Sequence, residues 1–99
     1  MVNTSIQEVD ALIAEHKVFM VSKTYCPFCT KAKNAITNAG GKFVVLEIEH
    51  DENMNAIQDY MLEKTGGRTV PRVFIDGKFV GGGNECEALL RSGELSKMV

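Results

Sequence analysis

Two short apolar runs separated by a helical pattern limit the possible folds of this chain most strongly. Residues 17–21 (KVFMV) and 43–48 (FVVLEI) are nearly continuous apolar stretches, as expected for strands covered on both faces. Between them, five apolar residues recur at the spacing of one helical face: Phe28, Ala32, Ala35, Ile36 and Ala39. The pair Gly40-Gly41 ends that helix. A strand, a helix and a strand within about thirty residues predict parallel strands joined by a right-handed crossover.

The rest of the chain adds helices and a hairpin to this unit. Residues 4–15 predict a first helix, whose start is marked by a capping box of Thr4 and Gln7. Residues 51–64 predict a third helix with three inward side chains: Met54, Ile57 and Met61. Residues 72–75 and 78–80 predict strands joined by a two-residue turn at Asp76-Gly77. Asn84 is a good N-cap for a last helix that Gly93 would close.

Composition narrows the function classes. The chain has 99 residues, 44% of them apolar and 24% charged, which predicts one soluble domain over residues 1–99. A formal charge of −2 argues against a nucleic-acid-binding face. The apolar runs are far shorter than the ~20 residues of a membrane span, and the polar start lacks the apolar stretch of a secretory signal. Three cysteines are too few for a secreted disulfide scaffold, so we expect a cytoplasmic protein with redox or metal chemistry.

The chemistry concentrates in the sequence Cys-Pro-Phe-Cys at residues 26–29, where the first strand gives way to the crossover helix. Pro27 suits the first helical position, which places Cys26 at the N-cap. Free backbone amides and the positive end of the helix favour a thiolate there, so Cys26 is predicted to attack. Cys29 lies three residues on, on the same face and further from the helix end. It is therefore predicted to be the resolving thiol.

The three cysteines also admit other interpretations. A zinc site would need two further ligands, and the candidates Cys86, His16 and His50 are scattered singly. Cys86 shares an apolar stripe with Leu89 and Leu90, which favours a small buried side chain, with a regulatory thiol as the alternative. We therefore expect a redox-active pair and no bound metal.

Taken together, these motifs resemble a dithiol glutaredoxin of the thioredoxin-like superfamily, from about Val18 to Leu95. Four matches occur in order: residues 23–29 (KTYCPFC), Gln58, residues 68–75 (RTVPRVFI), and Gly81-Gly82 followed by Asn84-Glu85. The family's active site usually reads Cys-Pro-Tyr-Cys, so Phe28 removes a hydroxyl group and keeps the ring. The resemblance implies an α/β, thioredoxin-like fold in which helices flank a four-stranded mixed β-sheet.

Glutathione is the co-substrate that the resemblance implies, held beside Cys26. Lys23 and Arg68 would meet its glycyl carboxylate, although without the resemblance both would be interpreted as solvated surface charges. A cis bond between Val70 and Pro71 would present the Val70 backbone to the ligand like an added strand. The loop that opens the last helix would hold the γ-glutamyl end. The implied glutathione-binding residues are Lys23, Tyr25, Gln58, Arg68, Thr69, Val70, Pro71, Gly82, Asn84 and Glu85.

The expected activity follows from these matches. We expect a monomeric, glutathione-dependent thiol–disulfide oxidoreductase that reduces protein–glutathione mixed disulfides and protein disulfides through Cys26 and Cys29. The alternative is a carrier of a [2Fe–2S] cluster between two chains, with Cys26 and glutathione as ligands. Pro27 argues against the cluster, because cluster-binding relatives more often have Ser or Gly at that position. A thioredoxin-like reductase fed by a flavoenzyme is a nearer alternative, weakened by the implied glutathione residues.

Overall fold

The structure, a computed structural model, describes residues 2–99 and confirms the predicted order of elements. Among these residues, no helix is both long and apolar enough to cross a membrane. The elements in chain order are α1 Ile6–Glu15, β1 Val18–Ser22, α2 Pro27–Asn38, β2 Val44–Glu47, α3 Met54–Thr65, β3 Arg72–Ile75, β4 Lys78–Gly81, α4 Gly83–Ser92 and α5 Leu95–Met98.

The strands form one mixed sheet in the order β2-β1-β3-β4. β1 and β2 are parallel, with Phe19 beside Val44, so α2 is the crossover that the sequence predicted. β3 runs antiparallel to β1, with Phe74 opposite Phe19, and also antiparallel to β4. The carboxyl end of β1 therefore leads straight into the amino end of α2, where the two cysteines lie.

Apolar side chains pack on both faces of the sheet. Every residue of the central strand β1 is buried, as a strand covered on both faces should be. β2 was expected to be covered in the same way, but its residues are only half-buried because it lies at the edge of the sheet. The face towards α2 and α4 contains Val18, Met20, Ala32, Ile36, Val73 and Cys86, and the opposite face contains Val9, Phe19, Val21, Ile57, Met61 and Phe74.

The β3–β4 hairpin turns at Asp76 and Gly77, as predicted. Their φ angles are 51° and 79°, which is typical of a type I′ turn. The backbone twist of this turn matches the twist of the flanking strands, and aspartate and glycine are among the residues that tolerate positive φ. The hairpin places the start of β3 and the end of β4 at the same edge of the sheet.

The predicted starts of α1 and α3 are wrong, for a shared reason. The capping box of α1 consists of Ser5 and Glu8, and the Glu8 amide donates to the Ser5 hydroxyl over 3.1 Å. Thr4 is buried instead, and its amide donates to the Asp51 carboxylate over 3.1 Å. Asp51 also accepts from the Asn53 amide over 2.9 Å, and α3 begins only after Asn53. The contact between Thr4 and Asp51 therefore keeps both residues out of the helix starts that were predicted for them.

The predicted N-cap of α4 is also wrong. Gly82 is the N-cap, and its amide donates to the Glu85 carboxylate over 2.7 Å. Asn84 lies one residue inside the first helical turn, where its side chain is exposed. The acidic side chain at the third helical position decides the start, because it satisfies an amide that the helix leaves free. Gly93 closes α4 as predicted, with φ of 81°.

Candidate active site

Cys26 occupies the N-cap of α2 and Pro27 the first helical position, as predicted. The amides of Cys29 and Thr30 both donate to the Cys26 carbonyl over 3.1 Å, which fixes Cys26 as the start of the helix. The Cys26 side chain makes no capping hydrogen bond and is half-buried. Its sulfur is therefore accessible at the end of the helix that favours a negative charge.

Cys29 lies in the core behind Cys26. It is completely buried, and both cysteines are free thiols. Burial is the largest cause that raises the pKa of the Cys29 thiol, and the nearby Cys26 raises it further, while a hydrogen bond with Ser22 opposes the increase. The two sulfurs thus differ in access and in environment, because only Cys26 meets solvent.

The Val70–Pro71 peptide bond is cis, as the resemblance implied, and it lies next to Cys26. The Cys26 Sγ atom is 3.7 Å from the Val70 carbonyl oxygen. Two open grooves meet at Thr69 and Val70, which line both. The smaller groove, about 310 Å³, is lined by Lys23, Tyr25, Cys26, Pro27, Gln58, Thr69 and Val70. The larger groove, about 400 Å³, is lined by Phe28, Thr69, Val70, Pro71, Arg72, Gly82, Gly83, Asn84 and Glu85.

The structure gathers the residues predicted to bind glutathione around these grooves, with one exception. Arg68 lines neither groove, and its Nη2 atom lies 3.1 Å from the Asp59 carboxylate. The Arg68 carbonyl does border the site, since it accepts a hydrogen bond of 2.9 Å from Gln58 Nε2. Gln58 is buried, so this contact ties α3 to the segment before the cis bond.

The start of α2 is locked to the start of α4, which the sequence did not predict. Phe28, the first of the five residues at the spacing of one helical face, is 51% exposed, whereas Cys29 is buried. Gly83 packs against the Phe28 backbone so closely that a Cβ atom there would lie 2.5 Å from the Phe28 carbonyl oxygen. Lys31 joins the same contact, since its Nζ atom donates to Asn84 Oδ1 over 3.1 Å and lies 5.5 Å from the Phe28 ring centroid.

Gly83→Ala should therefore lower the free energy of unfolding by about 1–3 kcal/mol, because one of two packed backbones has to shift. Urea denaturation of the reduced protein measures this change. Gly82→Ala is the matched control, because its Cβ atom would lie 3.3 Å from the Pro71 carbonyl oxygen and a small displacement relieves the contact. Equal stability of Gly83→Ala and the wild type would contradict the packing described here.

Glu49 anchors the loop before Cys26, and the sequence did not predict this role. The Thr24 amide donates to Glu49 Oε2 over 3.1 Å, and the Thr24 hydroxyl donates to the same oxygen. That hydroxyl is the largest cause that lowers the pKa of the Glu49 carboxyl. Glu49 follows β2, which is parallel to β1, so the loops after the two strands meet at one edge of the sheet. The sequence signal that could have indicated this role of Glu49 is the position of a charged residue just after a parallel strand.

The other ionisable side chains considered from the sequence lie apart. Within residues 2–99, no group of three His, Cys, Asp or Glu side chains is arranged to hold a metal ion. The predicted burial of Cys86 is confirmed, and burial raises the pKa of its thiol to about 11. This thiol is therefore protonated at neutral pH.

Comparison with known proteins identifies the family. The family model described as Glutaredoxin matches residues 18–80 of the chain. The chain belongs to the glutaredoxin family. A curated relative, glutaredoxin-1 of Rhizophagus irregularis, is 42% identical over 91 residues, which cover 92% of this chain and 90% of the relative.

Solved glutaredoxins have the same fold. Oxidized glutaredoxin 2 from Chlamydomonas reinhardtii superposes with a TM-score of 0.89 and 49% identity, covering 94% of this chain and 88% of that one. A buckwheat glutaredoxin–glutathione complex superposes with a TM-score of 0.87 and 35% identity, covering 93% of this chain and 84% of that one. The predicted thioredoxin-like fold with a four-stranded mixed sheet is thus confirmed, and the chain is a glutathione-dependent thiol oxidoreductase.

Proposed function

We propose that this glutaredoxin reduces protein–glutathione mixed disulfides through Cys26, and protein disulfides through Cys26 and Cys29 together. The observation that carries the proposal is the position of the Cys26 sulfur. It is accessible at the amino end of α2, lies 3.7 Å from the Val70 carbonyl oxygen, and belongs to a residue that lines the smaller of the two grooves that share Thr69 and Val70. Cys29 is buried one helical turn behind it.

The reaction with a glutathionylated protein needs only Cys26. Its thiolate attacks the glutathionyl sulfur, the substrate disulfide breaks, and the protein thiolate leaves and takes a proton from water. A second glutathione thiolate then attacks the sulfur of the glutathione bound to Cys26. Oxidised glutathione departs and the Cys26 thiolate is restored.

The reaction with a protein disulfide also needs Cys29. Attack by Cys26 leaves the substrate protein joined to Cys26 through a mixed disulfide. The Cys29 sulfur attacks the Cys26 sulfur and the mixed disulfide breaks. The proton of Cys29 passes to the leaving substrate thiolate, so the substrate is released as a dithiol and Cys26–Cys29 is left oxidised. Two molecules of glutathione then reduce that disulfide. Cys29 is buried and burial raises the pKa of its thiol, so Cys29 is proposed to act only on the disulfide formed beside it at Cys26.

Glutathione would lie across both grooves, with its sulfur at Cys26. Its glycyl carboxylate would meet Lys23, with Gln58 beside it, and its backbone would pair with Val70. Its γ-glutamyl carboxylate would meet the free amides at the start of α4. One oxygen of Glu85 already accepts from Gly82, which leaves the second oxygen for the ligand's ammonium group. A similar protein, from buckwheat, was solved as a complex with glutathione, which supports glutathione as the ligand.

Turnover of a glutathionylated peptide, coupled to glutathione and glutathione reductase, tests the proposal directly. In this assay Lys23→Ala should raise the KM for the peptide about fivefold and change kcat little, because a carboxylate contact remote from the reacting sulfur is made in ground and transition states alike. Arg68→Ala should raise KM less, because Arg68 already pairs with Asp59.

Lys42→Ala is the matched control, since Lys42 is exposed two residues before β2, at the opposite end of the parallel strands. Its kinetics should equal those of the wild type. Unchanged kinetics in Lys23→Ala as well would show that Lys23 is only a solvated surface charge.

The cluster-carrier alternative makes a different prediction, because protein purified without oxygen would then be brown and dimeric. The expected cytoplasmic location and monomeric state stay predictions.

A further inference from the structure

Arg72 binds the shared wall of the two grooves, which is the segment Thr69–Val70 that lines both. It is the first residue of β3, and its side chain turns back to Thr69, three residues earlier. Arg72 Nε donates to the Thr69 carbonyl oxygen over 2.7 Å, and Nη2 donates to the Thr69 hydroxyl over 2.9 Å. A planar guanidinium can make two such contacts at once, whereas an ammonium group cannot reproduce that geometry.

The guanidinium is itself held on two further sides. Its central carbon lies 5.1 Å from the centroid of the Phe79 ring on β4. Gly67 lies against it so closely that a Cβ atom there would be 2.5 Å from Nη2. The side chain is thus fixed between a strand and the segment after α3. Its two donor contacts therefore fix Thr69 relative to the sheet.

Thr69 matters because it lines both grooves together with Val70. The Val70 carbonyl oxygen is the atom 3.7 Å from Cys26 Sγ. A shift of Thr69 would therefore move the surface that the proposed ligand follows in both grooves. Arg72 also borders the larger groove, but its Nε and Nη2 donors are engaged with Thr69.

We infer that Arg72 is a positioning residue for glutathione, which acts by fixing Thr69 and with it the shared wall of the two grooves. This inference rests on the proposed function, since it concerns the same substrate. It assigns affinity for the glutathionyl group to a side chain that acts through Thr69.

The test compares Arg72→Met with the wild type in the glutathionylated-peptide assay. Methionine keeps an apolar stem near Phe79 and removes both donors. KM should rise about tenfold with kcat changed less than about twofold, which is the effect of losing charge-assisted hydrogen bonds that serve binding. Alkylation of Cys26 by iodoacetamide, which does not use the grooves, should keep its rate. Lys78→Met, an exposed cation lost from the same hairpin, is the matched control and should behave as wild type.

Two further variants keep the test decisive. Arg72→Lys retains the charge and the stem, so it stays informative if Arg72→Met is poorly folded, and its KM should also rise because the paired contact is lost. In a Thr69→Val background, Arg72→Met should raise KM by a clearly smaller factor than in the wild type. An unchanged KM in both Arg72→Met and Arg72→Lys would overturn the inference. Absence of turnover by the wild type would instead overturn the proposed function.

Discussion

Cys26→Ser is expected to lose thiol–disulfide exchange with every substrate, by a factor on the order of 10³ or more in kcat/KM. A serine hydroxyl does not ionise at neutral pH, so the variant has no nucleophile at the amino end of α2. Cys29 cannot substitute, because it is completely buried and its pKa is raised by burial. Cys86 is equally buried, and the pKa of its thiol is about 11.

Two assays check this expectation, one with a glutathionylated peptide and one with a protein disulfide. Cys86→Ala is the matched control, because it also removes one of the three cysteines and leaves the site intact. We expect its activity to stay within about twofold of the wild type, at a cost in stability typical of a small core truncation. Activity in Cys26→Ser together with loss of activity in Cys29→Ser on both substrates would reverse the two roles.

The order of helices and strands was predictable because it depends on local periodicity. The alternation of apolar runs fixed β1, α2 and β2, and Asp76-Gly77 fixed the hairpin turn. Helix starts were less predictable, because a local capping side chain competes with distant acceptors for the same backbone amide. Thr4 has the chemistry of a cap, yet its amide is bound by Asp51, 47 residues further along the chain. No local pattern shows that contact.

The residues of the candidate site also divide into those that local sequence predicts and those that it does not. Cys26 and Pro27 were placed correctly because the N-cap position is a local property of the sequence. The remaining predicted site residues depended on the resemblance to glutaredoxins, since a lone Lys or Gln carries no such signal. Glu49 was missed because its contact with Thr24 joins residues 25 apart. Arg72 belongs to the matched segment of residues 68–75, but no sequence pattern shows that its side chain turns back to Thr69.

The difference in burial between the two sulfurs determines which cysteine an incoming disulfide can contact. An incoming disulfide meets Cys26 first, because Cys29 is covered by the core. Burial also raises the pKa of the Cys29 thiol, which further disfavours a first attack by Cys29. We therefore expect Cys29 to act only on the disulfide formed with Cys26.

Cys29→Ser should therefore separate the two activities. Reduction of a glutathionylated peptide should continue within about threefold of the wild type, because free glutathione releases the Cys26 adduct without Cys29. Reduction of a protein disulfide should fall by about tenfold or more, because its mixed disulfide with Cys26 needs an internal thiol whose effective concentration no external glutathione matches.

Intact-protein mass spectrometry provides an independent readout. Treated with oxidised glutathione, Cys29→Ser should accumulate one glutathionyl group on Cys26, whereas the wild type should expel it and form the Cys26–Cys29 disulfide. The double variant Cys26→Ser/Cys29→Ser is the control and should gain no such group, since the remaining Cys86 is completely buried. Equal loss of both activities in Cys29→Ser, with no adduct, would show that Cys29 is needed for the attack by Cys26 itself. Its role as a resolving thiol that acts only after that attack would then be wrong.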